Sequence, residues 1–238
     1  MQLSRKTLFA VVLALAGAAT FARLGFWQLS RLAERRAYNA HLEERLAAPP
    51  VLVTSLPADS ATGHYRRVSA RGVFDFSAQV ALAARSSQGS PGVHVLTPLR
   101  LAGDTIVMVN RGWVYSPDAR TIDLAKWREH EGDTITVVGY AETWPGRETA
   151  PLPPAWHTVR TLDSAAVAQR VGAPILGYYV VQTSGPVASA ATPVRLGEPS
   201  LDEGSHRSYA IQWFSFTLIA LIGGTLLVRQ EVSHRSGS

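Results

Sequence analysis

The residues best able to do chemistry in this chain stand together in "HRSYAIQW", His206 to Trp213, at the start of an uncharged run. An imidazole offers a lone pair to a metal, and Tyr209 and Trp213 follow at spacings that bring side chains onto one helix face. His206 could therefore give a nitrogen to the iron of a porphyrin lying in a bilayer, with Tyr209 and Trp213 lining the macrocycle and Arg207 neutralising its carboxylates. The same residues also read as interfacial anchors, because amphipathic rings gather where a membrane helix meets water. Types and spacing alone leave both readings open.

Little else in the chain suggests chemistry. There is no cysteine, which excludes thiolate zinc sites, iron–sulfur ligation, disulfides and paired-cysteine copper carriers. Met1 and Met108 are the only thioethers, too few for a copper cluster. The seven histidines show no paired ligand spacing. No P-loop, nucleophile elbow, dinucleotide fingerprint or HExxH motif occurs, and the carboxylate pairs Glu43 with Glu44 and Asp202 with Glu203 read as solvated surface. No catalytic constellation is visible, so the chain is not expected to be an enzyme. In "NRGWV", Trp113 reads as a core residue and Arg111 as a solvated or paired strand residue.

The elements that must position His206 begin with the run that follows it. Tyr209 to Val228 carries no formal charge and spans about 30 Å as a helix, the thickness of a bilayer's hydrocarbon. Gly223 and Gly224 inside it would admit a second helix closely. Near the other terminus, Thr7 to Ala22 is uncharged, and continuing through Arg23, whose stem can snorkel, to Phe26 and Trp27 supplies a full span. A basic start and the small residues of "LAGAA" also fit a cleaved signal peptide. Arg5 and Lys6 precede this segment while Arg23, Arg31, Arg35 and Arg36 follow it, so charge counting does not decide orientation.

The expected organisation is a tail over 1–6, a first membrane helix over 7–27, and its extension out of the membrane over 28–48. A soluble domain over 49–205, a second membrane helix over 206–228 and a tail over 229–238 follow. In the domain, six strands are expected at Tyr65 to Phe74, Gln79 to Arg85, Val93 to Leu101, Thr105 to Val114, Asp133 to Glu142 and Pro174 to Ser184. Ala102 to Asp104 has the chemistry of a hairpin loop. Short helices are expected at Ile122 to His130 and after an Asp163 N-cap, the latter ending at Gly172. Trp144 to His157 and Gly185 to Ser205 read as loops. The fold class is thus a membrane protein with two terminal transmembrane helices flanking an α+β domain, mainly antiparallel and able to curl into a barrel. The net charge of +5 is scattered rather than clustered, so nucleic acid is not an expected partner.

Five blocks, in order, resemble the Surfeit locus protein 1 family of cytochrome c oxidase assembly factors. They are "LGFWQLSRL" (Leu24 to Leu32), "YRRVSARGVFD" (Tyr65 to Asp75), "GVHVLTPLRL" (Gly92 to Leu101), "VNRGWV" (Val109 to Val114) and "HRSYAIQWFSF" (His206 to Phe216). The resemblance implies a bacterial inner-membrane protein with both termini inside and its central domain on the periplasmic side. It implies a role in maturation of the oxidase's haem-bearing catalytic subunit, with haem a synthase as a second candidate partner and membrane lipid around the helices. It further implies transient haem a binding, with His206 as the metal ligand and Arg207, Tyr209 and Trp213 around the cofactor. The alternative is a membrane-anchored scaffold that binds protein only. One departure is that Tyr115 and Ser116 precede Pro117 after "NRGWV", where the family often has proline directly, leaving the next turn open.

Overall fold

The computed structural model describes residues 4–57, 60–144, 157–184 and 192–236. Most of the proline-rich stretch expected as a loop (145–156) and the first part of the following linker (185–191) lie outside the described residues. The chain divides into two units, Met1–Leu42 with Leu201–Ser238, and Glu43–Ser200.

The first unit is built on two long helices. Helix α1 (Arg5–Ala47) is continuous for 43 residues, so "LAGAA" lies in mid-helix and the expected extension out of the membrane is one element with the span. It stops before Pro49 and Pro50, because a residue preceding proline is driven out of helical geometry. The long C-terminal helix, His206–Ser236, follows Gly204, whose φ of +71° is costly for any side-chain-bearing residue. Phe9, Leu13 and Ile219 are 71%, 64% and 64% exposed, respectively. Large apolar side chains so placed suit a lipid solvent rather than a protein core.

These two helices run antiparallel and touch along their length. Ser4 donates its backbone N–H to Glu231 Oε1 at 2.7 Å, an anionic group where the positive end of the α1 dipole favours one. Phe21 stacks on Trp213 with centroids 5.8 Å apart, and Phe26 meets Phe214 edge-on at 5.2 Å. A Cβ on Gly25 would come within 2.7 Å of the Phe214 ring, and one on Gly224 within 3.3 Å of Ala14 Cβ. Close approach thus rests on Gly25 and Gly224, whereas Gly223 faces nothing.

The second unit is a mixed sheet. Its strands are β1 (Val51–Leu52), β2 (Arg67–Phe74), β3 (Val80–Ser87), β4 (Ser90–Leu101), β5 (Ile106–Tyr115), β6 (Thr134–Thr143), β7 (Thr158–Val159) and β8 (Ile175–Ser184). Helix α2 is a single turn at Ser60–Gly63, α3 is Ser164–Val171, and α4 is the long C-terminal helix. All six expected strands form, with ends shifted by one to three residues. Strands pair in the order β1-β2-β6-β8-β5-β4-β3-β7, and a further β2–β4 pairing closes β2, β6, β8, β5 and β4 into a five-stranded barrel. The β5–β8 pair is parallel.

Closure depends on β4 changing neighbours. Along one edge, residues 90–96 pair with β3 and residues 99–101 pair with β2. Pro98 stands at the changeover, where a missing N–H leaves no broken ladder bond, while its carbonyl accepts from the Asp75 N–H at 2.8 Å. Strand β5 alternates as a two-sided strand should: Val107 and Val109 join the barrel core with Val68, Leu99, Val137 and Val180, and Met108 joins a second core beneath Leu162 and Val167 of the α3 region.

Local signals mostly hold. The Ala102 to Asp104 loop closes a β4–β5 hairpin, with Leu101 N–H donating to Thr105 O at 2.9 Å. Asp163 accepts from Ala165 N–H, and Gly172 ends α3 in the left-handed region. After "NRGWV", Pro117 lies at the second position of a turn closed by Ala119 N–H on Ser116 O. The expected helix at Ile122 to His130 is corrected. Only a 3₁₀ turn forms, Leu124–Lys126, because the Leu124 carbonyl accepts from the Trp127 N–H three residues on together with the Gln79 side chain, and the Trp127 carbonyl is taken by the Arg111 side chain.

Candidate functional site

His206 is the first residue of α4, half-buried, beside α1. Its Nδ1 lies 2.8 Å from Gln28 Oε1. A carbonyl oxygen only accepts, so this contact suits an imidazole that carries its proton on Nδ1 and leaves a lone pair on Nε2. Among the described residues no hydrogen bond reaches Nε2. A Cβ on Gly204 would sit 3.8 Å from that nitrogen, so glycine there leaves its approach uncovered.

The strand of chain before His206 is clasped to α1. Asn39 donates to Leu201 O at 2.6 Å, Arg35 to Asp202 O at 2.9 Å, and Arg36 forms a two-pronged pair with Glu203 at 2.7 and 3.0 Å. The exposed Arg36–Glu203 ion pair contributes little energy by itself, and the other two contacts are hydrogen bonds to backbone carbonyls. Together they fix where α4 begins, and hence where the imidazole stands.

The four residues expected here do not converge equally. Arg207 is exposed and free to meet an anionic group in solvent, and Tyr209 is 48% exposed on the same helix face as His206. Trp213 lies one turn deeper, its ring packed against Phe21 and edge-on to Phe216, where it serves the helix pair. Gln28 is the residue that the sequence reading missed. It is 9% exposed between Trp27 and Leu29, a polar side chain at the depth of His206. Aligning the basic ends of the two spans, Arg5 and Lys6 against Arg229, counts up to that match.

The set fits a haem. It offers one imidazole with an open nitrogen, an oriented second ring nitrogen, an exposed cation and an apolar flank. Among the described residues no group of three His, Cys, Asp or Glu gathers to hold a bare metal ion.

In the second unit, the reading of "NRGWV" is corrected in part. Trp113 is only half-buried, and Arg111, expected as solvated or paired, is paired but fully buried. Between Val95 and Leu96 of β4, opposite Gly112 and Asn110, Arg111 is the extra residue of a β-bulge. Gly112, at φ +136°, lies so close to Val194 that a Cβ would meet its carbonyl oxygen at 2.2 Å. The bulge sends the guanidinium between Phe74 and Phe76, with ring centroids 5.0 and 5.1 Å away. Nη1 donates to Gln79 Oε1 at 3.0 Å and to the Trp127 carbonyl, and Nη2 pairs with Glu129 at 3.1 Å. Glu129 also receives Arg195 at 2.7 Å and the Thr192 hydroxyl. Burial would raise its carboxyl, but Thr192, Arg195 and Arg111 overcome that and hold it below the ordinary range. The linker after β8 is therefore fastened at Thr192, Val194 and Arg195 rather than free.

The other titratable group of note is His94 on β4. Its Nδ1 contacts Asn110 Nδ2 at 3.2 Å, and burial, with a lesser contribution from Arg85, pushes the imidazole down to about 4. Unfolded, it would titrate at about 6.5. Below that value the unfolded chain takes up a proton that the folded one refuses. Stability should therefore fall between about pH 6.5 and pH 4, by up to about 3 kcal/mol. Denaturant midpoints of the full chain in detergent across this range should drop, and His94→Gln should flatten the dependence.

Comparisons with known proteins show the family. The model of the SURF1 family matches residues 15–218, from the first span into the second. A SURF1-like protein of Rickettsia felis is 25% identical over 219 residues, 88% of this chain and 92% of that relative. An uncharacterized SURF1-like protein of Mycobacterium tuberculosis (strain H37Rv) is 28% identical over 220 residues, 90% and 80% of the two chains. A SURF1-like protein of Monosiga brevicollis is 28% identical over 231 residues, 90% and 85%. With both apolar helices, the barrel between them and most of the chain inside the matched region, the chain belongs to the SURF1 family.

Proposed function

We propose that this protein acts in the assembly of cytochrome oxidase, a role that family membership suggests, and that it does so by holding haem a transiently at His206. The cargo passes to the oxidase's catalytic subunit, with haem a synthase as the donor-side partner. The protein sits in a bacterial inner membrane, spanned by α1 and α4, with the barrel on the periplasmic side. It makes and breaks no covalent bond; the haem brings the iron, and the chain binds and orients. Its family consists of assembly factors and is not known as catalytic.

The observation that carries this reading is the open Nε2 of His206 at the end of a lipid-facing helix pair. The exposure of Arg207, a cation that would meet propionates, and of Tyr209, a ring that would cover one side of the macrocycle, supports it. The test is to express the full chain with haem a biosynthesis, purify it in mild detergent and record its absorption spectrum. Wild type should carry pigment, and His206→Ala should lose most of it, since the nitrogen that would hold the iron is gone. Full occupancy in His206→Ala would remove the ligand assignment.

A scaffold that binds only protein is the second reading. It is favoured by the half-buried Trp113, whose Nε1 is buried without a hydrogen-bond partner, on a bulge held rigid by Arg111. It predicts oxidase assembly that is sensitive to Trp113→Ala and indifferent to His206→Ala.

A further inference from the structure

We propose that Gln28 is the positioning residue for His206, its side-chain carbonyl fixing the imidazole as the Nδ1–H tautomer so that the Nε2 lone pair is presented to haem iron. The inference rests on the haem-binding reading of His206 for its purpose, but not for its geometry.

Three observations support it. The contact is short, 2.8 Å, and joins residues 178 positions apart in the sequence, so it exists only because the two helices pair. Gln28 is 9% exposed, which leaves little room for water to replace its oxygen as acceptor. The opposite edge of the same ring faces Gly204, which has no side chain to compete for Nε2. A neutral imidazole has one proton for two nitrogens, and the acceptor at one of them decides which nitrogen remains a ligand. Outer hydrogen bonds of this kind orient a ligating ring and raise its basicity. Gln28 also stands on α1 while His206 stands on α4. The ligand is therefore competent only when both spans are present and paired, and loss of the first segment would release the tautomer.

The experiment has two independent readouts on the full chain in detergent micelles. The first is nitrogen NMR of ¹⁵N-histidine-labelled protein without haem, recorded at about pH 8, above the ordinary histidine range. The resonance assigned to His206 by its loss in His206→Ala should show a protonated Nδ1 and a bare Nε2. Gln28→Leu should move the proton toward Nε2, and Gln28→Glu, which keeps an acceptor oxygen, should restore the wild-type pattern. The second readout is haem retention, which should weaken about 10- to 100-fold in Gln28→Leu and recover in Gln28→Glu. An Nε2–H tautomer in wild type, or a tautomer unmoved by Gln28→Leu, overturns the proposal. If Gln28→Leu fails to fold, the wild-type tautomer and the Gln28→Glu spectrum still decide it. A wild-type protein with the expected tautomer that binds no haem would instead refute the proposed function and leave the pairing of Gln28 with His206 intact.

Discussion

Arg111→Ala is expected to lower the stability of the barrel domain by about 3–5 kcal/mol, the cost of breaking a buried ion pair from one side. The loss has three parts. Glu129 keeps Arg195 and Thr192 but loses the one cation buried beside it. Gln79 Oε1, which keeps the Thr97 hydroxyl, and the Trp127 carbonyl each lose a charged donor. Phe74 and Phe76 lose the group between them and leave a cavity. Against a total stability of about 5–15 kcal/mol for a typical domain, this is a large fraction. Denaturant unfolding of the full chain, followed by tryptophan fluorescence, measures it, since Trp113 and Trp127 both border the site.

Two further variants separate charge from packing. Arg111→Met together with Glu129→Leu should cost less than Arg111→Ala alone, because an apolar pair needs no desolvated charge to be balanced. Arg111→Lys should not rescue, since one ammonium cannot reach Gln79, Trp127 and Glu129 as a planar fork does. A loss below about 1 kcal/mol in Arg111→Ala would place Arg111 in the range of ordinary surface ion pairs and refute its role as the domain's internal tie. The same variant should expose residues 192–200 to protease, because the linker is held through Glu129 and the backbone pairing of Val194 with Trp113.

How much of this was legible beforehand follows from the range of the forces involved. The two long helices, the Ala102 to Asp104 hairpin and the Asp163 and Gly172 caps of α3 depend on residues within a few positions of each other, and their residue types announce them. Barrel closure depends on β2 meeting β4 and on the parallel β5–β8 pair, neither of which leaves a local trace. The expected helix after Ile122 failed instructively. Ile122, Leu124 and Trp127 are indeed packed on one apolar cluster, so the apolar spacing was real, but the backbone carbonyls there serve Gln79 and Arg111. Arg111 misled in the opposite sense. A lone arginine in a strand reads as solvated or paired; the pairing is there, with Glu129, but only the bulge and the two phenylalanines from another strand and turn make it a core residue.

The candidate site divides along the same line. His206 with Tyr209 was visible because both lie on one helix face. Gln28 carries no local signal, because its meaning lies in a residue on the other span. Trp213 had the right spacing and a different employment, since Phe21 on α1 claims its ring. Helical spacing says which side chains share a face, whereas packing decides which of them remain available to a ligand.

Gly72→Val should prevent the barrel from closing, and with it the accumulation of folded protein. Gly72, like Val73 after it, pairs on both sides of β2 at once, with Leu101 of β4 and with Ile135 of β6. A Cβ there would lie 2.1 Å from the Arg100 carbonyl oxygen and 2.9 Å from its carbon. Both are backbone atoms of the partner strand, so relief requires moving β4 away rather than rotating a side chain. Separating β2 from β4 unmakes the three pairs that close the barrel and uncovers Phe74 and Leu99 from the core they share. The cost should exceed about 4 kcal/mol, at the far end of what single substitutions do. Gly197→Ala is the matched control: nothing lies within 4 Å of its added Cβ and its backbone is not in the left-handed region, so it should be neutral within about 0.5 kcal/mol. Circular dichroism melting of both variants in detergent decides the matter. A Gly72→Val protein that melts with the wild type would mean that β2 and β4 are not in contact at this point, and that the five strands form an open sheet.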